Sequence, residues 1–171
     1  MCKGIDMYYS LMRQYDIANG EGIGCTIFFS GCKLKCKGCF QQETWSFTYG
    51  EELTKEKEQI FIDMCKNPHV DHISLLGGDF MQQEITDALH FIKRLKNEVG
   101  KPIWVWTGLL IETLNDSQRE LLPYIDFLID GRFIEDLKNL RLKFRGSSNQ
   151  RIIDVQSTMK TGNIIERLDL Y

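Results

Sequence analysis

The apolar positions of the chain change period as it advances, and the changes mark its elements. Cys25-Thr26-Ile27-Phe28-Phe29 is a continuous run rich in β-branched and aromatic residues, which predicts a strand buried on both faces of a parallel sheet. His72 to Leu76, Ile103 to Trp106 and Ile125 to Asp130 predict three further strands, and Ile152 to Val155 a fifth. Between them the period lengthens. Thr54 is placed to cap a helix on which Ile60, Phe61, Met64 and Cys65 share a face, and Asn67-Pro68 ends it. Ile85, Ala88, Leu89, Ile92, Leu95 and Val99 repeat at helical spacing, closed by Gly100-Lys101-Pro102. Met7 to Met12 has no clean period and fits an edge strand or a short helix. Trp45, Phe47 and Tyr49 alternate, as in a short strand or a packed loop. Gln156 to Tyr171 is polar and aperiodic.

Strands alternating with helices imply right-handed crossovers and a parallel sheet. The expected fold is α/β: a partial, open (βα) barrel with a mostly parallel sheet of about five to six strands. Ligands of such sheets bind beyond the carboxyl ends of the strands. The loops there are Ser30 to Phe40, Gly77-Gly78-Asp79, Thr107-Gly108 and Asp130-Gly131-Arg132, and topology gathers them at one rim.

Composition narrows the class. With 171 residues, 43% hydrophobic and 26% charged, the chain is sized for one globular domain with a substantial core. A net charge of −3 carries no nucleic-acid signature. The N-terminus lacks the apolar stretch of a signal peptide, and no apolar run approaches the ~18 residues of a membrane span. The expectation is a cytoplasmic protein with no membrane or direct nucleic-acid partner, whose cysteines are reduced. Of the six, Cys2, Cys25 and Cys65 stand apart and read as inert thiols.

Cys32, Cys36 and Cys39 cluster in the first rim loop, spaced C-x3-C-x2-C. Thiolates favour zinc or iron–sulfur clusters. A structural zinc site takes four protein ligands, and no fourth stands at the required spacing. His69 and His72 read as surface or strand-edge histidines. Cys25, at the far end of the strand, is expected roughly 20 Å from the loop by strand rise. Three thiolates on a 4Fe-4S cluster leave one iron open to an exogenous ligand, which is a catalytic arrangement. Lys33, Lys35 and Lys37 offset part of the cluster's negative charge or simply solvate the loop. Trp104 and Trp106 share one strand face, as core or as a wall of the site. Arg132, Lys138, Arg141, Lys143, Arg145 and Arg151 make the last third locally basic, a solvated face or a docking face.

The cysteine spacing after the first strand resembles the radical S-adenosylmethionine (SAM) superfamily, and Gly77-Gly78-Asp79 looks like its glycine-rich motif. Further segments are similar to the activating proteins of anaerobic (class III) ribonucleoside-triphosphate reductases. They include Asp16 to Gly22, Phe29 to Cys32, Gly38-Cys39-Phe40, Trp104 to Gly108, Leu128 to Phe133 and Phe144 to Arg151. The resemblance runs from about Tyr15 to Val155, so it implies an activase domain over 1–155 and a tail, 156–171, of no assigned role. It implies a 4Fe-4S cluster on Cys32, Cys36 and Cys39, with SAM on the open iron. Gly38, Cys39 and Phe40 would face SAM, and Gly77, Gly78 and Asp79 would hold its methionine end, Asp79 offering a negative group to the ammonium. Reductive cleavage would give a 5′-deoxyadenosyl radical that takes hydrogen from a C-terminal glycine of the large reductase subunit, the electron coming from a reduced flavodoxin-type donor. Two departures stand out: the aromatic, Phe40, follows the last cysteine instead of preceding it, and Phe80 replaces the usual proline after the glycine motif. The cysteine spacing alone is shared with small-molecule radical SAM enzymes of the deazaguanine-synthase type. Thiolate ligation alone is shared with non-catalytic iron–sulfur or zinc modules.

Overall fold

The computed structural model describes residues 6–171, so the reading of Cys2 lies outside it. In chain order the elements are β1 (Tyr8–Asp16), β2 (Gly24–Ser30), β3 (Glu51–Glu52), α1 (Lys55–Cys65), β4 (His72–Gly77) and α2 (Ile85–Glu98). Then follow β5 (Ile103–Trp106), α3 (Asp116–Arg119), β6 (Phe127–Asp130), β7 (Arg151–Asp154) and α4 (Val155–Thr161). No helix among the described residues is long and apolar enough to cross a membrane.

The strands form one sheet of seven, in the order β3-β1-β2-β4-β5-β6-β7. Its middle, β2-β4-β5-β6, is parallel as expected. Its edges are antiparallel: β1 turns back along β2 through the glycine-rich segment 19–24, and β7 returns along β6. The sheet is open and has more strands than expected, and barrel character is not established. The extra strands are the ones with mixed patterns. Met7 to Met12 belongs to β1, whose outer positions are solvated, and two register shifts blur its period. Trp45 to Tyr49 forms a 3-10 turn and a loop instead of a strand.

The two faces of the sheet differ. Ile27, Phe29, Ile73, Leu75, Ile103 and Val105 point to the helices and meet Phe61, Ile62, Phe91 and Leu95 in the main core. The Phe29 ring lies 5.1 Å from Phe80 and 5.6 Å from Phe91. Full burial of each such side chain is worth about 1.5–3 kcal/mol. Thr54 caps α1, its hydroxyl accepting from the Lys57 amide at 3.3 Å. The inward stripe of α1 is Glu58, Phe61, Ile62 and Cys65, a proper i, i+3, i+4, i+7 series. Ile60, expected inside, is exposed. Cys25 starts β2 in this core beside Cys65, whose thiol is pushed up by burial and by that neighbour. On the opposite face Trp104, Ile129 and Ile152 form a second cluster with Leu170. His72 is buried there, contrary to the surface reading, with Nε2 at 2.8 Å from the Asn19 carbonyl. The tail is ordered: α4 is capped by Asp154 and starts from Val155 in the main core, a bridge then pairs Glu166 with Ile153, and Leu170 reaches the second cluster.

Glu58 is fully buried between α1 and α2, and its nearest cation is Arg94, Nη1 to Oε2 3.1 Å. The contact is an ion pair of oblique geometry, since neither Glu58 oxygen gains a hydrogen bond. Breaking it should therefore cost more than removing it. Arg94→Met is expected to destabilise by on the order of 3 kcal/mol, the low end for a buried pair because Arg94 is partly solvated. Glu58→Met should cost clearly less. Urea denaturation of both variants checks the order, and a milder Arg94 variant would refute it.

Candidate functional site

The register of the parallel strands decides where the loops emerge. Phe29 pairs with Gly77, so β2 and β4 end side by side and hand the chain to the cysteine loop and the glycine turn together. A cavity of about 350 Å³ opens there, on the face away from the helices. Leu76, Gly77 and Gly78 line it from β4, and Trp106, Thr107 and Gly108 from β5. Cys32, Cys36 and Cys39 all line it from the cysteine loop. The volume is that of a small-molecule site.

The cysteine loop is held by main-chain bonds. The Gly31 amide donates to the Thr44 carbonyl at 2.7 Å, and the Cys32 amide to that of Trp45 at 3.2 Å. The Cys39 amide donates to the Cys36 carbonyl at 3.2 Å, and Lys35 turns the chain with φ of 48°. Cys32 and Cys36 are buried, and Cys39 is half-buried. Burial, then the nearby Asp79 and Cys36, push the Cys32 thiol up. Among the described residues no three His, Cys, Asp or Glu side chains crowd closely enough to hold a single metal ion. Three thiols distributed around one cavity suit a multi-iron cluster, whose irons each take their own ligand, better than a lone tetrahedral ion. Lys33, Lys35 and Lys37 are exposed, and Lys37 pairs with Glu135 at 3.3 Å. Phe40 lies on the cavity rim with 79% of its surface exposed. Gly38, with φ of 73°, faces Glu135 and does not line the cavity.

The glycine pair has a structural reason. A Cβ on Gly77 would meet the Phe29 backbone at 2.5 Å, and one on Gly78 the Gly31 backbone at 2.7 Å. The Gly78 amide donates to the Phe29 carbonyl at 2.7 Å, and the Asp79 amide to the Gly31 carbonyl at 2.9 Å. Only residues without side chains let the two strand ends approach this closely. Asp79 differs from the ammonium contact expected of it. Its buried carboxylate accepts from the Met81 amide at 3.0 Å, Gln82 at 2.8 Å, the Thr107 hydroxyl at 3.0 Å and the Gly108 amide at 3.1 Å. It thus ties the turn after β4 to the turn after β5. Burial pushes its pKa up to about 6 against these four donors. Phe80, in the place of a proline, is a core residue that starts a 3-10 turn before α2.

Several site residues had no signal in the sequence reading. Gln82 accepts from the Lys33 amide at 3.0 Å and lies 3.8 Å from Cys32 Sγ. Gln83 donates to the Ser30 carbonyl at 3.1 Å. Both follow directly on the glycine motif, and that adjacency was the available clue. The far wall comes from the loop between β6 and β7. Trp106 Nε1 donates to the Phe144 carbonyl at 2.7 Å, and Phe144, Arg145 and Gln150 line the cavity. Trp104 is core, and Trp106, packed against that core, also lines the cavity. Of the basic residues, Lys138, Arg141 and Lys143 are solvated, and Arg132 donates to the Leu34 carbonyl at 2.5 Å. Arg151 pairs with Asp130 and Glu112. Asn149 is exposed and donates to the Arg132 carbonyl at 2.8 Å.

Comparison with known proteins agrees with this geometry. A family described as a 4Fe-4S single cluster domain matches residues 18–153. An anaerobic ribonucleoside-triphosphate reductase-activating protein of Vibrio cholerae is 43% identical over 150 residues, covering 85% of this chain and 97% of the relative. Its counterpart in Escherichia coli K12 is 40% identical over 148 residues, 84% and 96% of the two chains. That of enterobacteria phage T4 is 32% identical over 150 residues, 85% and 93%. With this identity over nearly the whole length of its relatives, the chain belongs to the family of anaerobic ribonucleoside-triphosphate reductase-activating proteins.

Proposed function

We propose that this protein activates an anaerobic ribonucleoside-triphosphate reductase by radical SAM chemistry. One observation carries the reading: Cys32, Cys36, Cys39, Gly77 and Gly78 line a single cavity at the carboxyl ends of parallel strands. Cys32, Cys36 and Cys39 would hold a 4Fe-4S cluster, which, reduced and with SAM on its open iron, supplies the electron that yields methionine and a 5′-deoxyadenosyl radical. The hydrogen donor is a glycine in a C-terminal segment of the large reductase subunit. A reduced flavodoxin-type protein is the electron donor in this reading.

The chain's own residues bind, orient and shield. Gly77 and Gly78 offer bare backbone at the cavity wall, where a methionine ammonium would find the main chain at close range. Asp79 acts one step back, by fixing that wall to Thr107 and Gly108. Cys39 and Phe40 make the outer lip, and Phe40 is free to pack on an adenosyl group or on the incoming segment. Leu76, Trp106 and Phe144 give the cavity apolar walls. The open rim leaves room for an extended peptide to reach the site.

Anaerobic reconstitution with iron and sulfide, followed by dithionite and SAM, should yield 5′-deoxyadenosine. Adding the large reductase subunit should give a glycyl doublet in its EPR spectrum. Steady cleavage without the doublet would point to a small-molecule enzyme, and bound zinc with no SAM cleavage would sink both enzyme readings. Cys36→Ala should lose cluster iron and all SAM cleavage, whereas full activity would remove the loop from the site. Gly78→Ala, forced against the Gly31 backbone, should cost about 1–3 kcal/mol by overpacking and lower bound iron, with far-UV circular dichroism retained. Wild-type iron content in that variant would show that the two strand ends tolerate separation.

A further inference from the structure

We propose that Arg145 is the carboxylate-binding residue of the cavity, and that the C-terminal segment holds its guanidinium in place through Tyr171. The proposal rests on the SAM reading above and assigns the anionic end of that ligand.

Arg145 is 8% exposed and lines the cavity. Among the described residues it is the only lining side chain with a fixed charge. Other partly buried arginines of the chain have carboxylates: Arg94 has Glu58 and Glu98, Arg151 has Glu112 and Asp130, and Arg167 has Glu21 and Asp169. Arg145 is in none of the ion pairs among the described residues. Its Nη1 donates to the Gln150 carbonyl at 3.2 Å, and its buried Nε has no partner. A guanidinium has five N–H donors in a planar fork, and a buried cation left unpaired is strongly unfavourable. The site is therefore incomplete as it stands, and the group that completes it is a planar anion, for which the fork is shaped.

The chemistry of the proposed occupants names that anion. In SAM the sulfonium and ammonium are positive, adenine and ribose are neutral, and the methionine carboxylate alone is negative. A glycine within a peptide carries no charge. The carboxylate thus has one fixed countercharge on the cavity wall.

Tyr171 explains why the guanidinium stays there. The Arg145 Cζ lies 3.8 Å from the Tyr171 ring centroid, a cation–π contact that occupies one face of the fork and leaves its in-plane N–H groups, other than the Nη1 bond to Gln150, available. The ring is fixed in turn: its hydroxyl bonds Glu166 at 2.5 Å and accepts from the Ile152 amide at 3.2 Å. Leu170 anchors the same segment in the second core. Residues 156–171, aperiodic in sequence, are in this reading the support of a ligand-binding side chain, with Tyr171 a positioning residue.

Equilibrium dialysis of the anaerobically reconstituted protein against SAM and against decarboxylated SAM tests this without turnover. Arg145→Gln should weaken SAM binding by roughly tenfold or more, the worth of a charge-assisted hydrogen bond, and change decarboxylated SAM by less than about twofold. Arg145→Lys, which keeps the charge and loses the fork, should fall between. Tyr171→Leu should reproduce the SAM-selective loss, and Tyr171→Phe should restore most of the affinity. Equal losses for both ligands, or none, in Arg145→Lys and Arg145→Gln would overturn the carboxylate assignment. Unchanged SAM affinity in Tyr171→Leu would overturn the role of the tail. Wild-type protein that binds neither ligand would overturn the SAM reading and this proposal with it, whereas a wild type that cleaves SAM isolates the failure to Arg145.

Discussion

Everything at the site depends on how closely two pieces of main chain approach. Gly77 and Gly78 press on the backbone from Phe29 to Gly31, at distances that leave no space for a side chain. The contact aligns the ends of β2 and β4, and with them a loop of thiols and a wall of bare backbone. Its hydrogen bonds, Gly78 to Phe29 and Asp79 to Gly31, continue the parallel ladder beyond the last paired residues. In the proposed function, a cofactor on one loop and a co-substrate on the next would need a fixed spacing between the two. Here the sheet itself sets it.

Asp79 extends that constraint to the third strand. A buried carboxylate is costly unless its oxygens are satisfied, and this one has four donors from two turns. The turns after β4 and β5 are consequently one unit. The glutamines that follow, Gln82 and Gln83, add side-chain bonds to the cysteine loop itself. The site is preorganised by neutral and buried polar groups near the thiols, with the lysines left to the solvent.

The parallel middle of the sheet and its helices were legible because they bury apolar surface with a simple period. The thiol loop and glycine turn were legible because residue type alone restricts what they do. What stayed hidden had mixed signals. β1 carries bulges that break alternation, and α1 buries a glutamate, so its inward stripe takes Glu58 and Ile62 with Phe61 and Cys65, where the apolar spacing points to Ile60. His72 looked like a polar strand edge because its partner is a carbonyl contributed by the loop at Asn19. Asp79 was assigned to a ligand because sequence does not show that the next turn supplies donors. The order of the tail depends on contacts more than a hundred residues away in sequence, such as Arg167 with Glu21.

The two faces of the sheet also differ in how they are covered. Helices α1 and α2 close one face with a continuous aromatic and aliphatic core. The other face, where the cavity lies, is covered by an irregular segment between β6 and β7 and by the tail, joined to the sheet through a few rings and single hydrogen bonds. Local opening costs least where buried apolar contacts are fewest. The molecule is thus stiff behind the reactive centre and compliant in front of it. In the proposed function, a large partner that threads a segment of its own chain into the cavity would meet the compliant side, where small shifts of the cover leave the strand ends in place.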